Sequence, residues 1–349
     1  MGVTTARAGE LPPGRRHPGI AIARDSGHRE GNPPPPPMPA ARALLPLLAL
    51  LVGAVPSRGA EAWRARDHLR PGQVVIQGHR GVGHLAEENT VEAFELGWRL
   101  GVIPEADLRM TRDGVIVPFH DATFARVVKD APPELQRQGV QDVSYAELAA
   151  LDVGAWKGER FRGRKVVPMA TIFGLMAGRP ERRLYLDIKR IEFPRLAEEV
   201  RRHGLTRQVI LASRKVAELR AWRALVPEGD TLLWMHGNEA ELRRDLAALR
   251  AERFAGITQL QVHVYPKETT DRWAPPADPS PPDNPFRLRN AFLREVGNEL
   301  RAHGILYQAF PYTPAADVYG QLLDLGVMSF ATDHPDVAVR EVNAYLARP

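Results

Sequence analysis

Short β-branched and apolar runs alternate with amphipathic stretches along most of this chain, and that alternation limits the possible folds more than any other feature. The runs are Val74 to Ile76, Val102-Ile103, Val115 to Val117, Leu184 to Leu186, Val209 to Leu211, Thr231 to Trp234, Ile257 to Val264, Ile305 to Tyr307 and Met328 to Phe330. Between most of them lie segments of helical period: Thr90 to Leu100, Phe193 to His203, Ala217 to Leu225, Glu239 to Arg250, Arg289 to His303 and Ala315 to Leu325. Strand followed by helix, repeated, is the pattern of a parallel sheet covered by helices. Eight or nine strands favour an α/β fold of the irregular (β/α)8 TIM-barrel type over an open doubly wound sheet. No Gly-x-Gly-x-x-Gly opens a helix after the first strand, so a dinucleotide fold has no support. The link Arg109 to Gly114 is too short to hold a crossover helix, which makes the barrel irregular between its second and third runs.

The barrel pattern occupies residues 63–349 as one domain, with a proline-rich insertion expected near 266–285. Ahead of it, residues 1–37 are rich in Pro, Gly and Arg and end in Pro33 to Pro37, a composition expected to stay disordered or to be a mis-assigned extension. Residues 38–62 have the layout of a secretory signal peptide: Met38, a single Arg42, the apolar run Ala43 to Val55, and small residues around Ala60-Glu61-Ala62. The apolar run is too short to span a bilayer comfortably. The expectation is an exported, periplasmic or extracellular protein translated from Met38, without stable membrane insertion of the mature chain.

The net charge of +5 does not point to nucleic acid, because residues 1–62 hold a surplus of three positive charges and leave only two for the rest. The remaining charges mix Arg and Glu along helix faces, as in Arg195 to Arg202, and form no phosphate-tracking stripe. With no cysteine, thiol catalysis, thiolate metal sites and disulfides are all excluded.

In a barrel of this kind, chemistry sits at the C-terminal ends of the strands. The residues found there are Gly78-His79-Arg80-Gly81, Glu105-Ala106-Asp107, His120-Asp121, Asp187-Ile188-Lys189 and Thr332-Asp333. Glu105 and Asp107 are two apart on an extended segment, so they share a face and can grip one hard cation, with Asp187 as a third oxygen ligand. A carboxylate set without cysteine fits Mg²⁺ or Ca²⁺ better than Zn²⁺. His79 and His120 supply a general acid and a general base, imidazole having an unperturbed pKa of about 6.5. Arg80 and Lys189 add positive charge for an anionic substrate. Cation, acid, base and anion-binding groups together describe phosphoester transfer. One of Asn89 and Thr90 is expected to cap the following helix, and Asp333 to act as a supporting carboxylate. His84 and His236 read as surface or core residues, Tyr307, Phe310 and Tyr312 as core or rim packing, and His263 and Tyr265 as residues close to substrate.

These motifs carry a resemblance. Gly78 to Gly81, Glu88-Asn89-Thr90, Glu105-Ala106-Asp107, Thr111 to Asp121, Glu147 to Trp156, Val167-Pro168, Leu186 to Lys189 and Ala331 to Asp336, in that order, resemble the glycerophosphodiester phosphodiesterase family over roughly residues 74–340. The resemblance implies a metal-dependent phosphodiester hydrolase that cleaves glycerophosphodiesters to glycerol 3-phosphate and an alcohol. His79 and His120 then resemble the acid/base pair, Glu105 and Asp107 the metal carboxylates, and Arg80 a phosphate-binding residue. Asp187 stands where many members carry Glu, one methylene longer, and Ile305 to Pro311 replaces a Trp-containing strand. Two other readings fit the same residues: a phospholipase C- or D-like lyase on lipid head groups, and a non-catalytic barrel that binds phosphodiesters.

Overall fold

The computed structural model describes residues 63–272, 274–276 and 284–348. The expectations placed on residues 1–62, the disordered extension and the signal peptide, lie outside the described residues.

Nine strands build the sheet: β1 Val75–Gly78, β2 Ile103–Met110, β3 Ile116–Pro118, β4 Leu184–Arg190, β5 Val209–Ser213, β6 Asp230–Met235, β7 Gln259–His263, β8 Leu306–Phe310 and β9 Ser329–Thr332. Eight of them pair in parallel, in the order β1-β2-β4-β5-β6-β7-β8-β9, and β9 closes back onto β1 to complete the barrel. The third run of the sequence is not a barrel strand. β3 pairs antiparallel with β2 alone, and the two are joined by a tight turn in which Gly114 takes φ +84°. The short link thus made the fold irregular by adding a hairpin outside the barrel, while β4 takes the place beside β2.

A helix follows each barrel strand and covers it. Val91–Arg99 lies between β1 and β2, and Met169–Met176 between β3 and β4. Phe193–Arg202, Val216–Leu225, Glu239–Ala251, Asn290–Ala302 and Ala316–Asp324 precede β5 to β9 in turn, and Pro335–Leu346 closes the chain. Each buries an apolar stripe against the strands; Leu196, Ala197 and Val200 of Phe193–Arg202, for example, are fully buried while Arg201 and Arg202 face water. That division is what a 3.6-residue period requires of a helix with one dry side.

Two helices escaped the sequence pattern. Met169–Met176 is apolar on most of its surface, so it shows no amphipathic period, and Pro335–Leu346 follows directly on the last strand. A further segment, residues 119–166, carries its own small core of Phe119, Phe124, Val127, Val140, Leu148 and Val153 beneath short helical turns. The turn segment between β7 and its helix is pinched at its base by a bridge from Pro266 to Phe286.

Inside the barrel, polar side chains alternate with apolar ones. Gln308 donates to Ser329 Oγ at 2.9 Å and accepts from Gln261, and Tyr185 donates to Gln259 at 2.8 Å. These buried groups are acceptable because they satisfy one another. Among the described residues no helix is long and apolar enough to cross a membrane.

Candidate active site

The C-terminal end of the barrel opens into a cavity of about 1010 Å³. It is lined by His79, Arg80, Glu105, His120, Asp187 and Lys189, so six of the seven residues singled out in the sequence share one chamber, and Asp107 lies buried directly beneath it.

The first motif explains its own glycines. A Cβ on Gly78 would lie 2.2 Å from the Gly81 carbonyl oxygen, and Gly81 itself takes φ +107°. Between them Arg80 is held at φ +51°, a left-handed conformation that costs a non-glycine residue free energy. That turn aims the Arg80 backbone N–H at Glu105 Oε2, 2.7 Å away, and leaves the guanidinium over the cavity, where it donates to Glu88 and to His120 Nε2 at 2.9 Å. Asn89, also left-handed at φ +58°, brackets Asp107: its amide donates to Asp107 Oδ2 at 2.7 Å and its carbonyl accepts from the Asp107 backbone N–H at 3.0 Å. Thr90 caps the helix Val91–Arg99 by accepting from the Ala93 N–H. Asn89 therefore orients a carboxylate, and Thr90 is the structural residue of the pair.

Glu105 and Asp107 lie within β2 and Asp187 within β4, not after them, because both strands run further than their apolar residues indicate. In the register of the sheet Asp107 pairs with Asp187. All three carboxylates are buried, with ligand oxygens within 4.8 Å of one another, and among the described residues they form one group able to hold a metal ion. Burial, reinforced by Asp107, pushes the Glu105 carboxyl above its usual range, and burial also raises Asp187. Burial works in the same direction on Asp107, but the fixed positive charges beside it, Lys189 before Arg80, outweigh it and keep that carboxyl well below the usual range. Lys189 is turned onto the carboxylates, hydrogen bonded to Asp187 and 3.0 Å from Asp107 Oδ1. That last approach lies off the hydrogen-bonding direction, so the buried Asp107 oxygen has charge beside it and no hydrogen bond. A buried carboxylate oxygen without a donor, in a group of three hard oxygen ligands, fits a divalent cation.

The two histidines differ in their settings. His79 Nδ1 lies 2.6 Å from Asp333 Oδ1. Burial works against the imidazolium, yet Asp333 and Glu105 more than offset it and hold the His79 pKa above its ordinary value. His120 Nδ1 lies 2.7 Å from Asp121 Oδ1, and its Nε2 faces an Arg80 nitrogen that can only donate. In that contact Nε2 accepts from Arg80, which leaves Nδ1 as the nitrogen that donates to Asp121. Asp121 is fixed in turn by Arg126, which also grips Glu88.

The opposite wall is aromatic. Trp234 stacks on His263 with ring centroids 5.4 Å apart and donates its indole N–H to Asp187 Oδ1 at 3.2 Å. Tyr312 stacks on Phe310 and Tyr265, and Phe310 meets the His79 ring edge-on at 5.0 Å. His263 stays neutral, pushed down to about 3 by burial, with Tyr312 and Gln261 on its two nitrogens. His236, expected on the surface or in the core, lines this wall. Phe310 and Tyr312 face the cavity as well as packing. His236, Phe310 and Tyr312 stand two, three and five residues past the apolar runs that end at Trp234 and Tyr307, places open to any residue type.

The sequence profile of the glycerophosphoryl diester phosphodiesterase family matches residues 79–337. The chain belongs to this family. Among curated relatives, a glycerophosphodiester phosphodiesterase of Bacillus subtilis is 24% identical over 292 residues, 77% of this chain and 86% of that protein. A glycerophosphodiester phosphodiesterase of Caldanaerobacter subterraneus subsp. tengcongensis is 27% identical over 163 residues, 44% of this chain and 64% of the relative's length. Two solved structures share the barrel. A putative glycerophosphoryl diester phosphodiesterase from Silicibacter pomeroyi aligns with TM-score 0.59 at 22% identity, covering 80% of this chain and 97% of that one. A phosphodiesterase from Oleispira antarctica, solved with the product sn-glycerol-3-phosphate, aligns with TM-score 0.57 at 19% identity and covers 80% and 100%. In this member of the glycerophosphoryl diester phosphodiesterase family, the matched region runs from His79 to Val337 and so takes in His79, Arg80, Glu105, Asp107, His120, Asp187, Lys189 and Asp333.

Proposed function

We propose that this protein is a metal-dependent hydrolase of glycerophosphodiesters, releasing glycerol 3-phosphate and an alcohol. Family membership supports the reaction class, and one observation carries the reading: two histidines in different hydrogen-bonding settings face one cavity over a buried group of three carboxylates. Glu105, Asp107 and Asp187 would hold Mg²⁺ or Ca²⁺, which when bound neutralises charge on the phosphate. Each of the other groups has a step of its own. The phosphate draws the Arg80 guanidinium off His120 and is oriented by its planar fork of donors. His120 Nε2, freed as an acceptor, takes a proton from the attacking water as its oxygen bonds to phosphorus. The bond from phosphorus to the departing oxygen breaks, and His79, whose protonated form Asp333 favours, donates to that oxygen. Lys189 balances the negative charge of the triad.

The test is to incubate the purified protein with glycerophosphodiesters of several head groups in Mg²⁺ and in Ca²⁺ and to measure glycerol 3-phosphate. Product that depends on a divalent ion is expected. No product from any diester with either ion, while a diester still binds, would instead support a barrel that only binds. A cyclic phosphate as the final product would support the lyase reading. Export through residues 38–62 belongs to the same proposal, and a native mature chain found by N-terminal sequencing to retain residues 1–37 would contradict it.

A further inference from the structure

Most of the positive charge in the cavity is already engaged. Arg80 is bound to Glu88 and His120, Arg126 to Asp121 and Glu88, Arg109 to the His120 carbonyl, and Lys189 to the carboxylate triad. Arg272, at the rim, is engaged as well. Arg214 differs. It lines the same cavity from the end of β5, is exposed, and among the described residues has neither a carboxylate partner nor a hydrogen-bond acceptor.

Local structure explains why. The acid closest along the chain, Glu218 on the helix Val216–Leu225, is taken by Ser213 Oγ at 2.6 Å and by Lys215 at 2.8 Å. Arg214 instead lies over the Trp234 ring, with its guanidinium carbon 5.6 Å from the centroid. Strand order puts Trp234 on β6 between Arg214, just past the end of β5, and His263 on β7, and the indole N–H is tied to Asp187. A guanidinium on an aromatic face keeps its in-plane donors available, and here the platform itself is held, by the indole N–H on Asp187 and by stacking on His263. The charge also reaches its neighbours: His236 is kept below its ordinary pKa first by burial and then by Arg214, with Glu241 acting the other way.

We propose that Arg214, seated on Trp234, forms a subsite for a second anionic group, a carboxylate or phosphate, on the alcohol half of the diester. The inference rests on the hydrolase reading and deepens it. His79, Arg80 and His120 gather on the β1–β2 side of the cavity, whereas Arg214 and Trp234 stand on the β5–β6 side with the triad between. A phosphate over the triad, with its departing oxygen within reach of His79, leaves the chain beyond that oxygen free to extend across the cavity toward Arg214. Glycerol is uncharged, so an anion met there belongs to the other substituent.

The test uses three matched diesters of glycerol 3-phosphate whose second alcohols are 3-hydroxypropionate, propanol and choline. The wild-type protein should favour the carboxylate-bearing diester. In Arg214→Ala its kcat/KM relative to the propanol diester should fall about ten- to a hundred-fold, the range of hydrogen bonds to charged groups, with the change in KM. Arg214→Lys should restore part of that ratio. An unchanged ratio in Arg214→Ala, or a preference for the choline diester that Arg214→Ala leaves intact, overturns the proposal. Should no diester be turned over, the hydrolase reading fails by itself. Calorimetric binding of the same three compounds then decides the subsite: an Arg214-dependent preference for the anionic one supports it, and equal affinities overturn it.

Discussion

His79 Nδ1 and Asp333 Oδ1 lie 2.6 Å apart although 254 positions separate them in the chain, because β9 closes the barrel against β1. The pairing fixes which nitrogen of His79 faces the cavity and raises its pKa. An acid must carry its proton to act, so kcat/KM should fall as pH rises through that pKa. Asp333→Asn removes the raising charge, and the basic limb of the pH profile should move to lower pH with reduced kcat. A profile that keeps its basic limb would remove His79 from the role of acid.

His79→Ala and His120→Ala should each lower turnover by about 10²–10⁴-fold, the usual worth of a positioned acid or base. Both side chains line the cavity and leave the core intact, so circular dichroism and thermal melting should match the parent. Wild-type rates in either variant would contradict the assignment.

Removal of divalent ions should abolish turnover, and addition of Ca²⁺ or Mg²⁺ should restore it. Binding to the folded state alone also stabilises, by about 2.7 kcal/mol at a hundred times Kd, so Tm should rise with added ion. The rise should disappear in Asp107→Asn. An equal rise in parent and variant would place the ion elsewhere.

Trp234→Phe keeps an aromatic platform but deletes the donor to Asp187 Oδ1. Groups that orient metal ligands are worth about 10–100-fold in affinity, and a loss in that range is expected by calorimetry. Asn89→Ala, which frees Asp107, should act in the same direction. Unchanged affinity in both would show that the carboxylates hold their positions unaided.

Gly78→Ala would drive a Cβ into the Gly81 carbonyl, backbone against backbone, so neither group can rotate away. A loss of about 1–3 kcal/mol is expected from overpacking of this kind, together with loss of activity as His79 and Arg80 shift. A denaturant midpoint equal to the parent's would refute the close approach.

The barrel was legible in the sequence because each strand and each amphipathic helix signals itself locally, through β-branched runs and a 3.6-residue period. His79, Arg80, Glu105, Asp107, His120, Asp187 and Lys189 were legible for a related reason: a polar residue at the end of an apolar run has few other places to go. Met169–Met176 was hidden by being apolar almost all round, and the small core under residues 119–166 by having no helix long enough to show a period.

What the sequence determined by itself was therefore the class of fold and the inventory of chemistry at one end of it, since both follow from patterns a few residues long. What only the tertiary structure decided was who faces whom: β3 left outside the barrel, Asp333 on His79, Trp234 on Asp187, Lys189 turned onto carboxylates, Arg214 left over. Those pairings depend on which strands become neighbours and on the closure of the sheet, and no local run of residues carries that information.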